Sequence, residues 1–386
     1  MNPFDLTLDT LKKHFEVSFG QSEPMQGKET TFKLESMGFS SWQQAVEHCH
    51  KLSQYKQPPD VPLDDPYTLH IRCGTDIKPY FTPPDFVGDY LALIDPLCMG
   101  PLSDNEGQHH LQRAHFIGKH LLPKVDNGTQ AQQEKEIQRQ QRQALETLCS
   151  PRYRRRVFWL EHDNYDQLMW LEALTHFAKQ QAIEIEYIEV NHFPGLQRFI
   201  GLGQLPRYAF RYLWREHKQP LQEQHITLAQ QIWPAFCANT PKPLIALYQQ
   251  DLASAFPNLQ AVIKRHLQEL PHCDSRLTKT QTIVIDILRQ ATRPLTWSQL
   301  FDQWQQKDPL PYLGDTMLHA CIKPLWPHLV IEHHSKETYY QLKSPKDNSF
   351  DIEPYSVGGI DLSATSHWAW DHNDLHSMVQ TSLPNK

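Results

Sequence analysis

Four short apolar runs, Thr68 to Cys73, Tyr90 to Asp95, Arg156 to Glu161 and Ile183 to Val190, are separated by segments long enough for helices. Runs of this length joined by helical crossovers predict a small, mostly parallel sheet in an α/β domain. After Pro194 the strand signal fades. Helical spacing then recurs at Pro206 to Lys218, Thr227 to Ala238, Pro241 to Gln250, Asn258 to Glu269, Lys279 to Ala291 and Trp297 to Lys307. The fold class expected is therefore an α/β N-terminal domain followed by an all-α region. The order of the last elements, three short helices and then VIEHHSKETYYQL, is that of a winged-helix-like module.

The expected organisation has five parts: an N-terminal appendage (1–66), an α/β domain (67–205), a helical region (206–276), the winged-helix-like module (277–343) and a loose tail (344–386). The appendage is weakly patterned, with one helix at Ser41 to Tyr55, and ends in the Pro- and Asp-rich connector QPPDVPLDDP. QAQQEKEIQRQQRQALETLC, 130–149, favours helix but has almost no apolar spacing in its first half, so it reads as a solvated crossover. The tail, with isolated Trp368 and Trp370 among Asp, Ser and Asn, offers little from which to build a core.

A 386-residue chain exceeds a single core, and 39% hydrophobic with 21% charged residues excludes wholesale disorder. A net charge of -7 gives no general attraction to nucleic acid or anionic lipid. Seven cysteines without a Cys-x-x-Cys pair suggest neither a disulfide framework nor a zinc site, and fit a reducing cytosol. No apolar run reaches the length of a membrane span, and the first residues lack a signal-length apolar core, so neither export nor a membrane span is expected.

In open α/β sheets ligands gather beyond the carboxyl ends of the strands, so polar residues just after each run are the candidates. The first run ends at Gly74, Thr75 and Asp76, where glycine allows a tight turn and the Thr75 hydroxyl with nearby N–H groups suits an anion. The same residues also suit an ordinary turn with an Asp cap. The second run ends at Asp95, fit for a metal, a ribose hydroxyl or the turn that Pro96 enforces. The third is the densest: Glu161, His162, Asp163 and Asp166 stand within six residues at a strand-to-helix junction, with Tyr165 and Gln167 between and after them. Helix capping accounts for Asp163 and Asp166 alone; Glu161 and His162 remain as a ligand, acid/base or metal pair. After the fourth run, Gly201 and Gly203 permit close backbone approach and Arg198 suits an anionic ligand.

The segments LHIRCG, IDPLCMGP, VFWLEHDNYDQL, HFPGLQRFIGLGQL, KRHLQELP, RLTKTQ and YLGD resemble, in order and spacing, the bacterial proteins grouped as domain-of-unknown-function family 1835. The resemblance covers about Tyr67 to Leu342. It implies an α/β domain, a helical middle and a winged-helix-like end, and carries no assigned chemistry. Pro79, Pro83 and Pro84 interrupt the helix expected after the first strand.

Other constellations fail on spacing. His48, Cys49 and His50 diverge around one helix, and His109, His110, His115 and His120 lack partners at metal-ligand spacing. Nucleotide-loop, dinucleotide, serine-hydrolase and zincin motifs are missing. In the winged-helix-like module seven Lys or Arg face six Asp or Glu, a net of +1, and the expected groove-facing helix, Gly314 to Leu325, offers only Lys323, which disfavours DNA.

The leading expectation is a small polar or phosphate-bearing ligand at the strand ends. If chemistry occurs there, Asp95, Glu161 and Asp163 would hold Mg²⁺ or Mn²⁺, and Glu161, His162 and Asp163 would carry metal-assisted phosphoester chemistry. The alternative is a non-enzymatic regulator that contacts a protein partner through its helical and winged-helix-like half.

Overall fold

The structure, a computed structural model, describes residues 7–17, 21–24, 27–122, 129–177, 184–196, 198–250, 252–334, 337–344, 350, 356–362, 366–371 and 374–382. They divide into two compact units, each assembled from separate stretches of chain: Met1–Leu93, Ser150–His162 and Gln180–Leu221 form one; Ile94–Cys149, Asp163–Lys179 and Gln222–Lys386 form the other.

The first unit is built on a five-stranded sheet of β1 (Thr68–Arg72), β2 (Asp89–Ala92), β3 (Arg155–Glu161), β4 (Glu184–Val190) and β5 (Gln219–Pro220). The order across it is β2-β1-β3-β4-β5, with the first four parallel and β5 antiparallel at the edge. Register places Ile71 beside Phe158, and Trp159 beside Ile188. Every residue of β1 and six of seven in β3 are buried, which is how central strands of a parallel sheet covered on both faces read. The chain leaves β1 to one side for β2 and returns to the other side for β3. The strand ends of β1 and β3 thus form a topological switch point, where the loops diverge and leave a crevice.

One apolar cluster packs Leu52, Phe81, Phe86, Val157, Trp159 and Ile188 with Phe199, Leu202, Phe210, Leu213 and Trp214. The helix Arg207–Glu216 buries one face into it, while its Arg207 and Arg211 bind the fully buried Asp85 at 2.6 and 2.8 Å. The prolines expected to break the helix after β1 leave only a 3-10 turn, Lys78–Tyr80, and a cis Pro83-Pro84 bond. Residues before β1 hold more than the single helix expected there. Leu8–His14, Lys28–Ser36 and Trp42–Gln54 are helical and enclose Leu11, Phe15, Leu34, Met37, Phe39, Trp42, Ala45 and Cys49. The first two helices are too short for their periodicity to stand out, and the cluster closes only when all three meet.

The second unit is mostly helical. Gln130–Leu148 buries only Ile137 and Leu148, as the solvated reading of that segment expects. Lys279–Gln290, Trp297–Lys307 and Asp315–Ile322 pack Val284, Ile285, Leu288, Leu300, Trp304, Leu318 and Ile322 together. A three-stranded antiparallel sheet adjoins them, with Glu337–Leu342 between Leu295–Thr296 and Leu329–His334. The last α-helix stops at Ile322, two residues before Pro324, and continues as a 3-10 turn, Lys323–His328. The tail expected to be loose contains strands. Ser356–Gly358 pairs in parallel with Gly100–Pro101 and antiparallel with Ile360–Asp361, burying Val357 and Ile360; Ser366–Asp371 pairs with Asp374–Ser382. Its first pairing partner lies some 250 residues away, so local sequence cannot announce it. No described helix is long and apolar enough to cross a membrane.

Candidate functional site at the strand ends

β1 ends on Arg72 and β3 on Glu161, each buried. An arginine and a glutamate are tolerated at such depth only when paired. Arg72 Nη2 donates to Glu161 Oε1 in a close ion pair and to Asp76 Oδ2 at 3.2 Å, while Nη1 reaches Cys73 Sγ at 3.6 Å. One guanidinium thus joins the two strand ends to the loop after β1. Gly74, at φ +89°, turns that loop through the left-handed region, and its carbonyl accepts from the Tyr90 hydroxyl at 3.1 Å. Thr75 is exposed, and the Asp76 side chain is 42% exposed.

A second loop closes over the pair. Leu202 N–H donates to Glu161 Oε1 at 2.6 Å. A Cβ on Gly201 would stand 2.9 Å from both Glu161 carboxylate oxygens, and one on Gly203 would stand 3.1 Å from Asp76 Oδ2. Gly201 is needed because the backbone there closely approaches the buried carboxylate; at Gly203 the approach is looser and onto a half-exposed side chain. Gln204 ties the turn by accepting from Ile200 N–H at 2.6 Å and Gly201 N–H at 3.0 Å, and Leu202 and Leu205 anchor it in the apolar cluster. His162 follows Glu161, its ring 6.1 Å from that of Phe199; Arg198 is exposed.

The predicted residues therefore separate. Gly74, Thr75, Asp76, Glu161, His162 and Arg198 belong to the sheet-bearing unit, and Asp76 and Glu161 meet there through Arg72. Asp95, Asp163, Tyr165, Asp166 and Gln167 belong to the other unit. There Asp95 serves a buried arginine: Arg113 donates to its Oδ1 from Nε at 2.9 Å and Nη2 at 2.5 Å, and Gln141 donates to Oδ2 at 2.8 Å. Arg113 also donates to the carbonyls of Pro96, Met99 and Pro101, so it fastens the turn after Asp95. Asp163 caps the helix Asn164–Thr175, accepting from Tyr165 N–H at 2.9 Å and Asp166 N–H at 3.1 Å. Tyr165 hydroxyl donates to Ile94 carbonyl at 3.2 Å; Asp166 and Gln167 are buried in the first turn.

Among the described residues, the group of three potential metal ligands lying within 4.8 Å of one another is His272, Cys273 and Asp274, at the surface, and not the strand-end carboxylates. Glu161 and Asp95 each spend an oxygen on arginine instead.

Residue-type reasoning missed Arg72, because a single arginine at a strand end carries no motif. It also missed a buried chain on the same strand. Trp159 Nε1–H donates to His70 Nδ1 at 3.2 Å, which leaves the proton on Nε2 for Asp64 Oδ2 at 2.7 Å. Asp64 also accepts from Val87 and Gly88 N–H at 2.7 and 2.9 Å. Burial pushes the His70 pKa down, against the pull of Asp64, so this is a neutral, fixed imidazole that locks the connector to the sheet.

No family model, curated protein or solved structure matches this chain.

Proposed function

We propose that the sheet-bearing unit binds a small polar, phosphate-bearing ligand at the ends of β1 and β3. The observation that carries this reading is the pairing of Arg72 with Glu161 and Asp76 at the switch point, under a loop in which Gly201 and Gly203 pass close to the two carboxylates. A buried clamp of this kind holds two loops in fixed positions around the crevice. In this reading the Thr75 hydroxyl and the loop N–H groups meet the anion, Arg198 adds positive charge, and half-exposed Asp76 takes a hydroxyl of the ligand or a Mg²⁺ or Mn²⁺ ion carried with it. Glu161 positions the 201–205 loop, and His162 is the neighbouring group able to move a proton. The family 1835 resemblance is consistent with such a domain and assigns it no reaction. A cytosolic setting belongs to the same reading, supported by seven free thiols.

Thermal-shift measurement against nucleotides, sugar phosphates and divalent ions tests it, because a ligand that binds only the folded protein raises Tm. The expected result is a shift with at least one phosphate compound that Thr75→Val and Asp76→Asn both diminish. No shift with any compound, or a shift that both variants retain, would sink it.

We further infer that residues 277–343 form a winged-helix-like module that contacts protein and not DNA. The specific support is the composition of the helix Asp315–Ile322: its solvent-facing residues are Asp315 and Thr316, it contains no Lys or Arg, and Lys323 follows its end. Filter binding of duplex DNA at low and moderate salt should detect nothing; tight, salt-sensitive retention would reverse this reading.

A further inference from the structure

The mostly helical unit contains a pocket of about 320 Å³, within the range of small-molecule sites, and its lining is chemically lopsided. Asp104, Glu106 and Glu172 bring three carboxylates to it, and no Lys or Arg lines it. Phosphate and other anions are thereby disfavoured, and a ligand with positive charge is favoured.

Two further observations point to an occupant. His109, 5% exposed, accepts Ser103 N–H on Nδ1 at 3.3 Å. Its remaining proton then sits on Nε2, for which no partner exists among the described residues. Trp233, 6% exposed and with its ring 6.1 Å from that of His109, likewise has an indole N–H without a partner there. The pocket thus offers both carboxylate acceptors and neutral N–H donors. A simple amine would satisfy only the first, and a simple acid only the second.

We propose that this pocket binds a free basic amino acid, its cationic groups on Asp104, Glu106 and Glu172 and its carboxylate on the His109 and Trp233 N–H groups. His176 beside Glu172, at 3.4 Å, does not cancel the acidic side: burial works against its charge, Glu172 and Glu106 restore it, and the pKa ends above its ordinary value. One imidazole offsets at most one of the three carboxylates, so the lining stays acidic. The site is separate from the strand-end proposal and does not depend on it.

Isothermal titration of the full chain with L-arginine and L-lysine tests the assignment, with agmatine and cadaverine as the analogues lacking a carboxylate. One of the two amino acids should bind at millimolar concentration or below, and its decarboxylated analogue about tenfold more weakly, as the loss of one charge-assisted contact requires. Asp104→Asn, at an exposed position where the fold is not at stake, and Glu172→Gln, checked for folding by circular dichroism, should each weaken binding about tenfold. Absence of heat with both amino acids, equal binding of the decarboxylated analogues, or unchanged affinity in both variants would overturn the proposal.

Discussion

Arg72 and Glu161 end neighbouring parallel strands and form an ion pair whose side chains are 5% and 8% exposed, with the glutamate oxygen also accepting the Leu202 N–H. Removing one member of a buried pair strands the other charge, at a cost of about 3–5 kcal/mol. Glu161→Ala should lower unfolding stability by that amount in urea titrations. Arg72→Met with Glu161→Leu should cost clearly less than the sum of the single changes. Simple additivity would mean that the two side chains are not coupled.

The glycines over this pair should not be equivalent. At Gly201 an added methyl meets both oxygens of buried Glu161 at 2.9 Å, and the carboxylate is held by Arg72 and cannot retreat. At Gly203 it meets Asp76 Oδ2 at 3.1 Å, on a side chain free to swing toward solvent. Gly201→Ala should therefore cost about 1–3 kcal/mol, the usual range for overpacking, and Gly203→Ala clearly less. The reverse order in denaturant midpoints would refute this account of the loop.

Much of the framework is legible in the residues because strands and helices announce themselves by spacing. The third apolar run coincides with β3 but for its first residue, and Trp297–Lys307 falls where its periodicity places it. What stayed illegible depends on partners distant in sequence. Asp95 reads as a metal ligand until Arg113, eighteen residues on, takes its oxygen. Gly201 and Gly203 read as flexibility until Glu161 and Asp76 are found beneath them. His109 and His110 lack metal-ligand spacing, yet join Glu172 and Trp233 at one pocket, a grouping only the packing of helices creates.

Acid should weaken the fold through two histidines. Burial, aided by His217, His192 and Lys51, pushes His48 down to about 4, and burial beside Arg265 pushes His266 down to about 4. His266 packs its ring against Phe236 at 5.0 Å with no partner for either nitrogen. An unfolded histidine takes its proton near pH 6.5, so the unfolded state binds more protons below that pH and gains on the folded one. The stability is complete above about 6.5 and is lost as pH falls toward 4, on the order of 3 kcal/mol for each histidine. His48→Phe, among Phe39, Phe193 and Tyr212, should flatten the pH dependence of the urea midpoint in this window. An unchanged slope would show that His48 does not contribute to it.

Asp163 offers a way to tell a cap from a reacting group. Its Oδ1 accepts two N–H groups of the first turn, the geometry of an N-cap, and this alone explains a carboxylate at that position. Asparagine keeps a side-chain oxygen at the same place, whereas alanine removes it. Asp163→Ala should cost about 1 kcal/mol in unfolding measurements and Asp163→Asn only a fraction of that, since both are good caps. A catalytic or metal-binding carboxylate behaves otherwise: the neutral amide abolishes its role however well it caps. Equal stability loss in both variants would mean that the negative charge itself is needed at the helix start. Loss of a ligand-induced thermal shift in Asp163→Asn, with stability intact, would return Asp163 to the candidates for chemistry.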